Sequence, residues 1–315
     1  LIISCVKMFF MIKYSQKTER KRTMDIKFNN PISEAWHADP EARFYDGKYC
    51  IYVTRSLPYE KQLNHDMFVS EDLKHWEKIE SIIDMTGFPW IKKAVWAPTI
   101  IEKDGKYYYI FASNDIHKDN EGGGLEIAVS DSPTGPFKGY LGRSLIGTII
   151  NGAQPIDAHL FKDDDGTIYL YYGGWKHCNV CRMNRDMTGF VPFEDGETFK
   201  EITPFDYVEG PCMMKKDGKY YFMYSCGSWG EGTYRVDYSI SDSPLGPFES
   251  LGTILSSQPG VAEGPGHNGY FLLDDGEMLM VYHRRREDIK DRDARFLCID
   301  KAEFDGDKIK PIRMT

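Results

Sequence analysis

The hydrophobic pattern of this chain repeats five times. Each repeat has a strand-like run, an Asp-Gly pair and a second run rich in tyrosine and aliphatic residues. The five segments read EARFYDGKYCIYV, TIIEKDGKYYYIF, LFKDDDGTIYLYY, CMMKKDGKYYFMY and YFLLDDGEMLMVY. An Asp-Gly pair between two such runs predicts a tight β-hairpin, because the turn needs positive φ at both central residues. The chain is therefore predicted to contain five related hairpins.

The spacing of the hairpins predicts how they are arranged. Their turn glycines stand 58, 61, 52 and 58 residues apart and are Gly47, Gly105, Gly166, Gly218 and Gly276. Each hairpin is followed by another strand-like run and a polar turn, as in FVSEDLKHW and YSISDSPLGPF. Units of four antiparallel strands, repeated five times around an axis, make a five-bladed β-propeller. A β-sandwich with coincidental hairpins is the alternative. We predict an all-β, single-domain propeller over residues 25–315.

The first 24 residues differ from the repeats. An apolar patch at residues 8–11 precedes a basic stretch at residues 17–22, which reverses the order of a signal peptide. We interpret residues 1–24 as an extension outside the fold. No apolar run approaches the roughly 20 residues of a membrane span.

The number and spacing of the cysteines bear on the cellular location of the protein. Seven cysteines, an odd number without the spacing of a disulfide scaffold, favour reduced thiols and a cytoplasmic location. Cys178 and Cys181 form a lone C-x-x-C pair. A structural zinc site needs a second ligand pair, so packing within a strand is the preferred interpretation.

Composition narrows the class of partner. The net charge of −9, from 39 basic and 48 acidic residues, argues against nucleic acid, which needs clustered positive charge. Aromatic residues make up 14% of the chain. Their side chains suit β-strands, and their flat faces also suit the faces of sugar rings.

The repeat also aligns one position at the start of each unit. Counting nine residues back from the turn glycine gives Trp96, Asp157, Glu209 and His267, whereas Asp39 stands eight before its glycine. The first strand of a propeller blade lines the central channel, so these five side chains are predicted to converge at one end of the axis. We attribute the one-residue difference at Asp39 to a β-bulge or a different incoming loop.

Three of the five converging residues are acidic. Glycosidic cleavage needs one carboxylic acid to protonate the leaving oxygen and one carboxylate to activate water or attack the sugar. A third carboxyl group raises the pKa of the acid by repulsion and can orient it. Acidic residues at strand starts are often merely solvated, but Pro40, Pro155 and Pro211 give these ones rigid settings. The pattern favours a glycosidase, with a non-catalytic carbohydrate-binding or protein-binding propeller as the alternative of another class.

Five segments around these residues resemble glycoside hydrolase family 43. They are HADPEARFYDGKYCIYV, VWAPTIIEKDGKYYYIF, QPIDAHLFKDDDGTIYLYYGG, VEGPCMMKKDGKYYFMYS and AEGPGHNGYF. The resemblance runs from about residue 29 onward and implies a five-bladed propeller with an inverting mechanism. It implies that Asp39 is the general base, that Glu209 is the general acid and that Asp157 tunes and orients Glu209. Trp96 is implied to line the sugar pocket.

The resemblance also implies a metal and a substrate-binding arginine. His267, in the segment GPGHNG, corresponds to a contributor to a divalent-metal site, usually calcium. One histidine is a sparse ligand set for calcium, which prefers six to eight oxygens, so a hydrogen-bonding histidine is the alternative. In the segment DRDAR, Arg292 is expected to bind substrate, with Arg295 as the alternative.

The expected activity is that of an inverting exo-glycosidase acting on xylan-derived oligosaccharides. A β-1,4-xylosidase is preferred, and an α-L-arabinofuranosidase or an arabinan-cleaving enzyme is the alternative within the family. An inverting mechanism predicts that the carboxyl groups of Asp39 and Glu209 are roughly 6.5–9.5 Å apart. Oligosaccharides are the expected partners, and the sequence leaves the oligomeric state open.

Overall fold

The computed structural model describes residues 28–315, so the prediction about residues 1–24 lies outside the described residues. The described chain consists mainly of β-strands, with short 3₁₀ turns at Tyr59–Lys61 and Met85–Gly87. Five sheets follow one another around a central axis, and each is a blade. No helix in residues 28–315 is long and apolar enough to cross a membrane. The predicted all-β five-bladed propeller is confirmed.

The first two blades have four consecutive antiparallel strands. Blade one contains β1 (His37–Tyr45), β2 (Lys48–Arg55), β3 (His65–Ser70) and β4 (Glu77–Ile79). The chain then forms β5 (Ile83–Asp84). Blade two contains β6 (Trp96–Lys103), β7 (Lys106–Ser113), β8 (Gly124–Ser130) and β9 (Phe137–Gly139). The segment connecting the two blades runs along the outer edge of blade two, so β5 pairs with β9 in parallel, which was not predicted.

Blade four keeps the four-stranded pattern, whereas blades three and five depart from it. Blade three contains β10 (His159–Lys162), β11 (Ile168–Tyr172), β12 (Asn179–Met183), β13 (Phe190–Val191) and β14 (Lys200–Glu201). Blade four contains β15 (Glu209–Lys216), β16 (Lys219–Cys226), β17 (Arg235–Ser241) and β18 (Glu249–Leu255). Blade five contains three strands, β19 (Glu263–Leu272), β20 (Met278–Arg285) and β21 (Arg295–Ala302). A separate hairpin follows, β22 (Phe304–Asp305) and β23 (Lys308–Ile309).

The apolar core is divided into five clusters, one between each pair of neighbouring blades. Both faces of a blade pack against a neighbour, so β7 is buried at seven consecutive positions rather than at alternate ones. Aromatic rings fill these spaces edge to face, as where Tyr52 of blade one meets Tyr109 of blade two at 5.7 Å between ring centroids. The high aromatic content is therefore largely a packing feature.

Blade five is completed by the start of the described chain. The Ile32 N–H donates to the Leu297 carbonyl at 2.8 Å. The side chain of Asn30 accepts from the Ile299 N–H and donates to the Ile299 carbonyl, both at 2.9 Å. Residues 30–32 thus lie along the outer edge of β21, where the other blades have a fourth strand. We call the junction of blades one and five the seam, since peptide segments join each of the other pairs of neighbouring blades.

The six described cysteines are free and buried, five of them within strands and Cys178 directly before β12. Burial raises the pKa of the Cys178 thiol to about 12 and raises that of Cys181 as well. These thiols therefore stay protonated and pack as small apolar groups, which agrees with the preferred interpretation of the C-x-x-C pair.

Candidate active site

The inner strand of every blade carries the same irregularity at its start. One residue there adopts a left-handed backbone with φ between 44° and 64°, namely Asp39, Ala97, Asp157, Gly210 and His267. The register with the second strand shifts at this point in blades one, two, four and five. Such a bulge re-aims side chains that a regular strand would direct into its neighbours. The repeated bulge therefore explains how different blades direct side chains towards one space.

The hairpin turns explain the one-residue difference at Asp39. The left-handed residue stands eight positions before the turn glycine in blades one, two and four, and nine before it in blades three and five. The turns of blades three and five hold three residues instead of two, as the 2.9 Å bond from the Asp163 N–H to the Thr167 carbonyl indicates. A bulge or incoming loop peculiar to Asp39 is therefore not the cause. Asp39, Asp157 and His267 are equivalent, whereas Trp96 and Glu209 each stand one residue earlier.

The re-aimed side chains surround one open cavity of about 440 Å³. All five residues that the repeat predicted to converge line it: Asp39, Trp96, Asp157, Glu209 and His267. The remaining walls come from Tyr59, Ile156, Trp229 and Arg295. Tyr59 and Trp229 lie in loops whose direction the repeat does not specify, so sequence analysis missed them.

Asp39 is buried beside basic side chains from blade five. Its Oδ1 accepts a hydrogen bond from Arg295 Nη1 at 3.2 Å, and its backbone N–H donates to His283 Nδ1 at 3.2 Å. Burial alone would raise the pKa of Asp39, but Arg295, His267, His283 and a hydrogen bond from Thr54 lower it to about 2. Asp39 is therefore a carboxylate at neutral pH and well below it.

Asp157 and Glu209 are shifted in the opposite direction. Burial and repulsion from Glu209 and Asp39 raise the pKa of Asp157, although its Oδ2 accepts the Gly210 N–H at 3.0 Å. Burial also raises the pKa of Glu209, against the effect of a 2.9 Å hydrogen bond from the Tyr234 hydroxyl. Because both acids resist ionisation, the pair retains a proton at pH values where Asp39 is already charged. The cavity thus holds a fixed anion and a proton donor.

The structure brings Arg295, rather than Arg292, against Asp39. Arg295 begins β21 and is buried, whereas Arg292 lies in the preceding loop with a side chain that is 60% exposed. Arg292 lies outside the cavity lining, over the ring of Trp229 at 4.9 Å, and Arg295 lies 5.1 Å from the same ring. Arg295 rather than Arg292 lines the cavity, because the chain enters the strand, and turns inward, only at Arg295; the expectation that Arg292 binds substrate stays a prediction.

Polar side chains close the central channel beneath the cavity. Arg43 of blade one reaches across the axis and donates to the carbonyls of Ile100 at 3.0 Å and Leu160 at 2.7 Å. It also pairs with Glu41 at 3.2 Å, and Glu41 in turn lies 3.3 Å from His159. Blades one, two and three are linked by these contacts. The cavity is therefore a pocket with a floor, and a ligand enters it from one end.

His267 contacts both of the equivalent acids. Its Nδ1 lies 3.5 Å from Asp39 Oδ1 and 3.5 Å from Asp157 Oδ2, and burial lowers its pKa, which keeps the ring neutral at neutral pH. A neutral imidazole beside carboxyl groups is a ligand that a divalent cation can use. Within residues 28–315, side chains that could together hold a metal ion cluster at Asp206, Cys226 and Asp237, and no such cluster includes His267. A divalent cation at His267 would therefore have to keep most of its water ligands.

A pocket with an ionised carboxylate, a carboxyl pair that retains a proton and aromatic walls supplies what glycosidic cleavage needs, namely a base, an acid and stacking surfaces. Fold and site together define a glycoside hydrolase.

Comparison with known proteins specifies the family. The model of glycosyl hydrolases family 43 matches residues 28–309, and the chain belongs to this family. The chain is 38% identical over 305 residues to a β-D-galactofuranosidase of Aspergillus niger, covering 93% of this chain and 87% of that protein. It is 31% identical over 272 residues to a β-xylosidase of Xylanibacter ruminicola, covering 69% and 79%. The solved structure of an α-L-arabinofuranosidase from Clostridium thermocellum is similar with a TM-score of 0.71 and 28% identity, covering 88% of this chain and 94% of that one.

Proposed function

We propose that this protein is an inverting exo-glycosidase that removes one terminal sugar at a time from an oligosaccharide. The supporting observation is the opposed pKa shifts in one cavity, about 2 for Asp39 and raised values for Asp157 and Glu209. Two carboxyl groups whose environments push their pKa values apart are suited to act as base and acid. A non-catalytic binding propeller has no need of that difference.

In the proposed reaction, Asp39 accepts a proton from the water that attacks the anomeric carbon. Glu209 simultaneously gives its proton to the departing glycosidic oxygen, and solvent restores both groups afterwards. Burial and repulsion from Asp39 favour the protonated form of Glu209, Asp157 is the neighbouring carboxyl group that orients it, and Tyr234 holds the Glu209 carboxyl through the 2.9 Å hydrogen bond to Oε1. Trp96 and Trp229 supply aromatic walls for the sugar. Side chains from all five blades surround the cavity, which supports exo action, because a single terminal sugar fits within such a ring.

The sugar we propose is β-D-xylose, released from xylan-derived oligosaccharides, in agreement with the sequence prediction and with the activity named for the Xylanibacter relative. A second candidate is β-D-galactofuranose, since the Aspergillus relative is more similar and is named for that sugar. α-L-Arabinofuranose has the ring configuration of β-D-galactofuranose without the last exocyclic carbon, so activity towards both is a coherent outcome.

Initial rates on nitrophenyl β-D-xylopyranoside, α-L-arabinofuranoside and β-D-galactofuranoside test the sugar. A kcat/KM at least tenfold higher on the xyloside supports the first candidate, and the reverse order supports the second. Proton NMR of the first turnover tests the mechanism, because inversion releases the anomer opposite to that of the substrate. Release of the same anomer, or hydrolysis of none of the three glycosides or of their oligosaccharides, would refute the proposal.

The pH profile is expected to depend on Arg295. The guanidinium lowers the pKa of Asp39, so Arg295→Gln raises that pKa, and the base becomes protonated at higher pH. The acid limb of kcat/KM is expected to move up by about one pH unit or more, since one unit corresponds to a single moderate charge interaction. Arg292→Gln is the matched control and should keep the wild-type limbs, because Arg292 does not contact Asp39. Equal shifts in both variants would contradict this assignment.

We propose that a divalent cation, with calcium as the expected ion, binds at His267. When bound, it would add positive charge beside Asp39 and favour the ionised base. Exhaustive chelation is expected to lower kcat, and added calcium to restore it. His267→Ala is expected to reduce the metal content measured by plasma mass spectrometry. A protein that holds no metal at His267, or full activity after chelation, would contradict the role of the metal.

A further inference from the structure

Two buried rings stack on each other beside the cavity. Tyr234 directly precedes β17 in blade four, and His283 lies in β20 of blade five. Their ring centroids are 5.9 Å apart and their planes differ by 12°, an offset arrangement that aromatic rings favour. Each residue is 1% exposed, and neither lines the cavity. The stack therefore joins two blades next to the proposed active site.

His283 holds the backbone of the proposed base. Asp39 lies where the register between β1 and β2 shifts, and its N–H donates to His283 Nδ1 at 3.2 Å. Burial and Arg295 lower the pKa of His283, so the ring is neutral and carries its proton on Nε2. Within residues 28–315 this buried Nε2 has no hydrogen-bond partner, which costs stability. A phenylalanine would fill the same space without that cost, so packing alone does not account for the histidine.

Tyr234 holds the side chain of the proposed acid. Its hydroxyl donates to Glu209 Oε1 at 2.9 Å and accepts from the Ser225 hydroxyl. The Ser225 oxygen in turn accepts the His267 N–H at 2.9 Å. Burial and Glu209 raise the pKa of Tyr234, so the phenol stays protonated. Because the phenol donates to Oε1, the proton that Glu209 transfers resides on Oε2.

The ring of Tyr234 occupies a space that only glycine leaves open. Gly266 of β19 pairs with His283 across the sheet. A Cβ at position 266 would lie 2.1 Å from Tyr234 Cε1 and 2.3 Å from Cδ1. The φ of Gly266 lies outside the left-handed region, so space rather than backbone conformation requires the glycine. The ring is thus confined by the backbone of β19 and by the imidazole.

We propose that the stacked pair of Tyr234 and His283 is a bridge that sets the position of the acid relative to the base. It runs from the Asp39 N–H through the two rings to Glu209 Oε1. Inversion requires a fixed separation of the two carboxyl groups that leaves room for the attacking water. Both members of the bridge are positioning residues, because neither lines the cavity. The inference rests on the proposed function and names what holds its acid and its base in place.

Two phenylalanine variants test the ends of the bridge. Tyr234→Phe keeps the ring and removes the hydrogen bond to Glu209. It is expected to lower kcat on oligosaccharides about tenfold with KM little changed. Rates on dinitrophenyl glycosides should stay at the wild-type value, because a dinitrophenolate departs without a proton. His283→Phe keeps a ring against Tyr234 but removes the acceptor of the Asp39 N–H, so kcat is expected to fall about tenfold on both substrates.

A double-mutant cycle on the dinitrophenyl substrate tests the connection between the rings. Tyr234→Leu removes the ring that supports His283, so it should slow this substrate although Tyr234→Phe does not. In the His283→Phe background the same change should cost little more, because its effect on Asp39 passes through the imidazole. Circular dichroism checks the folding of each variant. Additive losses, which general damage to the fold would produce, would overturn the bridge.

Tyr282→Phe is the matched control. Tyr282 directly precedes His283, is fully buried and donates to Asp300 Oδ2 at 2.6 Å, outside the cavity lining. Its replacement should leave the rates on both substrates unchanged. If Tyr234→Phe slowed both substrates equally, or neither, the inference would fall even where Tyr234→Leu does not fold. A wild-type protein that hydrolyses neither substrate would overturn the proposed function itself.

Discussion

Glu209→Gln is expected to lower kcat on oligosaccharides by about 10²–10⁴-fold, the usual contribution of a general acid. Natural leaving groups depart only when protonated, whereas a dinitrophenolate departs without a proton. The variant is therefore expected to keep a nearly wild-type rate on dinitrophenyl glycosides. Glutamine preserves the size of the side chain, and its Oε1 can still accept from the Tyr234 hydroxyl, so the pocket keeps its shape. Rates on aryl glycosides of graded leaving-group pKa measure this dependence.

Glu126→Gln is a suitable control for that experiment. Glu126 is also a buried glutamate with a raised pKa, but it bonds to Trp90, Ser113 and Ser144 and lies outside the cavity lining. Its replacement should change rates on all leaving groups little. If Glu209→Gln slowed the dinitrophenyl substrate as strongly as the oligosaccharide, Glu209 would not be the acid.

Asp39→Asn is expected to lower kcat by about 10²–10⁴-fold for every leaving group, since activation of water is required whichever group departs. Asparagine matches aspartate in size and tolerates the φ of 52° at this position, so the bulge is preserved. The amide cannot accept the proton of the attacking water. Steady-state rates on the same series of aryl glycosides, with circular dichroism as a check of folding, measure the effect.

Asp66→Asn provides the comparison within the same blade. Asp66 is also buried with a lowered pKa, but it is held by His37 and Arg55 and lies outside the cavity lining. Its replacement is expected to lower thermal stability while the folded enzyme keeps its kcat. A loss in Asp39→Asn that is confined to poor leaving groups would show that Asp39 is not the base.

Most of the fold was predictable from the sequence because the repeated unit is short and its turn chemistry is strict. Asp46-Gly47 and the four related pairs fix where hairpins occur, and the lengths between them fix the number of blades. The sequence pattern did not distinguish two-residue from three-residue turns. Asp39 therefore appeared to be displaced by one residue from the other aligned positions. The segment in the position of a fourth strand of blade five, residues 30–32, has no strand-like pattern and is recognised only from its hydrogen bonds to β21.

The site was predictable as far as it lies on inner strands. Asp39, Asp157, Glu209, Trp96 and His267 follow the repeat, and the structure brings all five to one cavity. Tyr59 and Trp229 lie between strands, in segments whose conformation depends on tertiary packing and cannot be predicted from the repeat. Arg295 was distinguishable in principle, because it directly precedes the strand-like run FLCI, whereas Arg292 stands three residues earlier among charged residues.

The seam makes the position of Asp39, the proposed base, depend on the closure of the ring of blades. Asp39 belongs to blade one, but Arg295 and His283, which lie against it, come from blade five. Even a small parting of these two blades would break the hydrogen bonds that position Asp39, so the proposed base would lose its fixed geometry while the other four interfaces between blades still held. On heating, loss of activity should thus precede the change in circular dichroism that reports unfolding. Activity would then report whether the interface between blades one and five is intact.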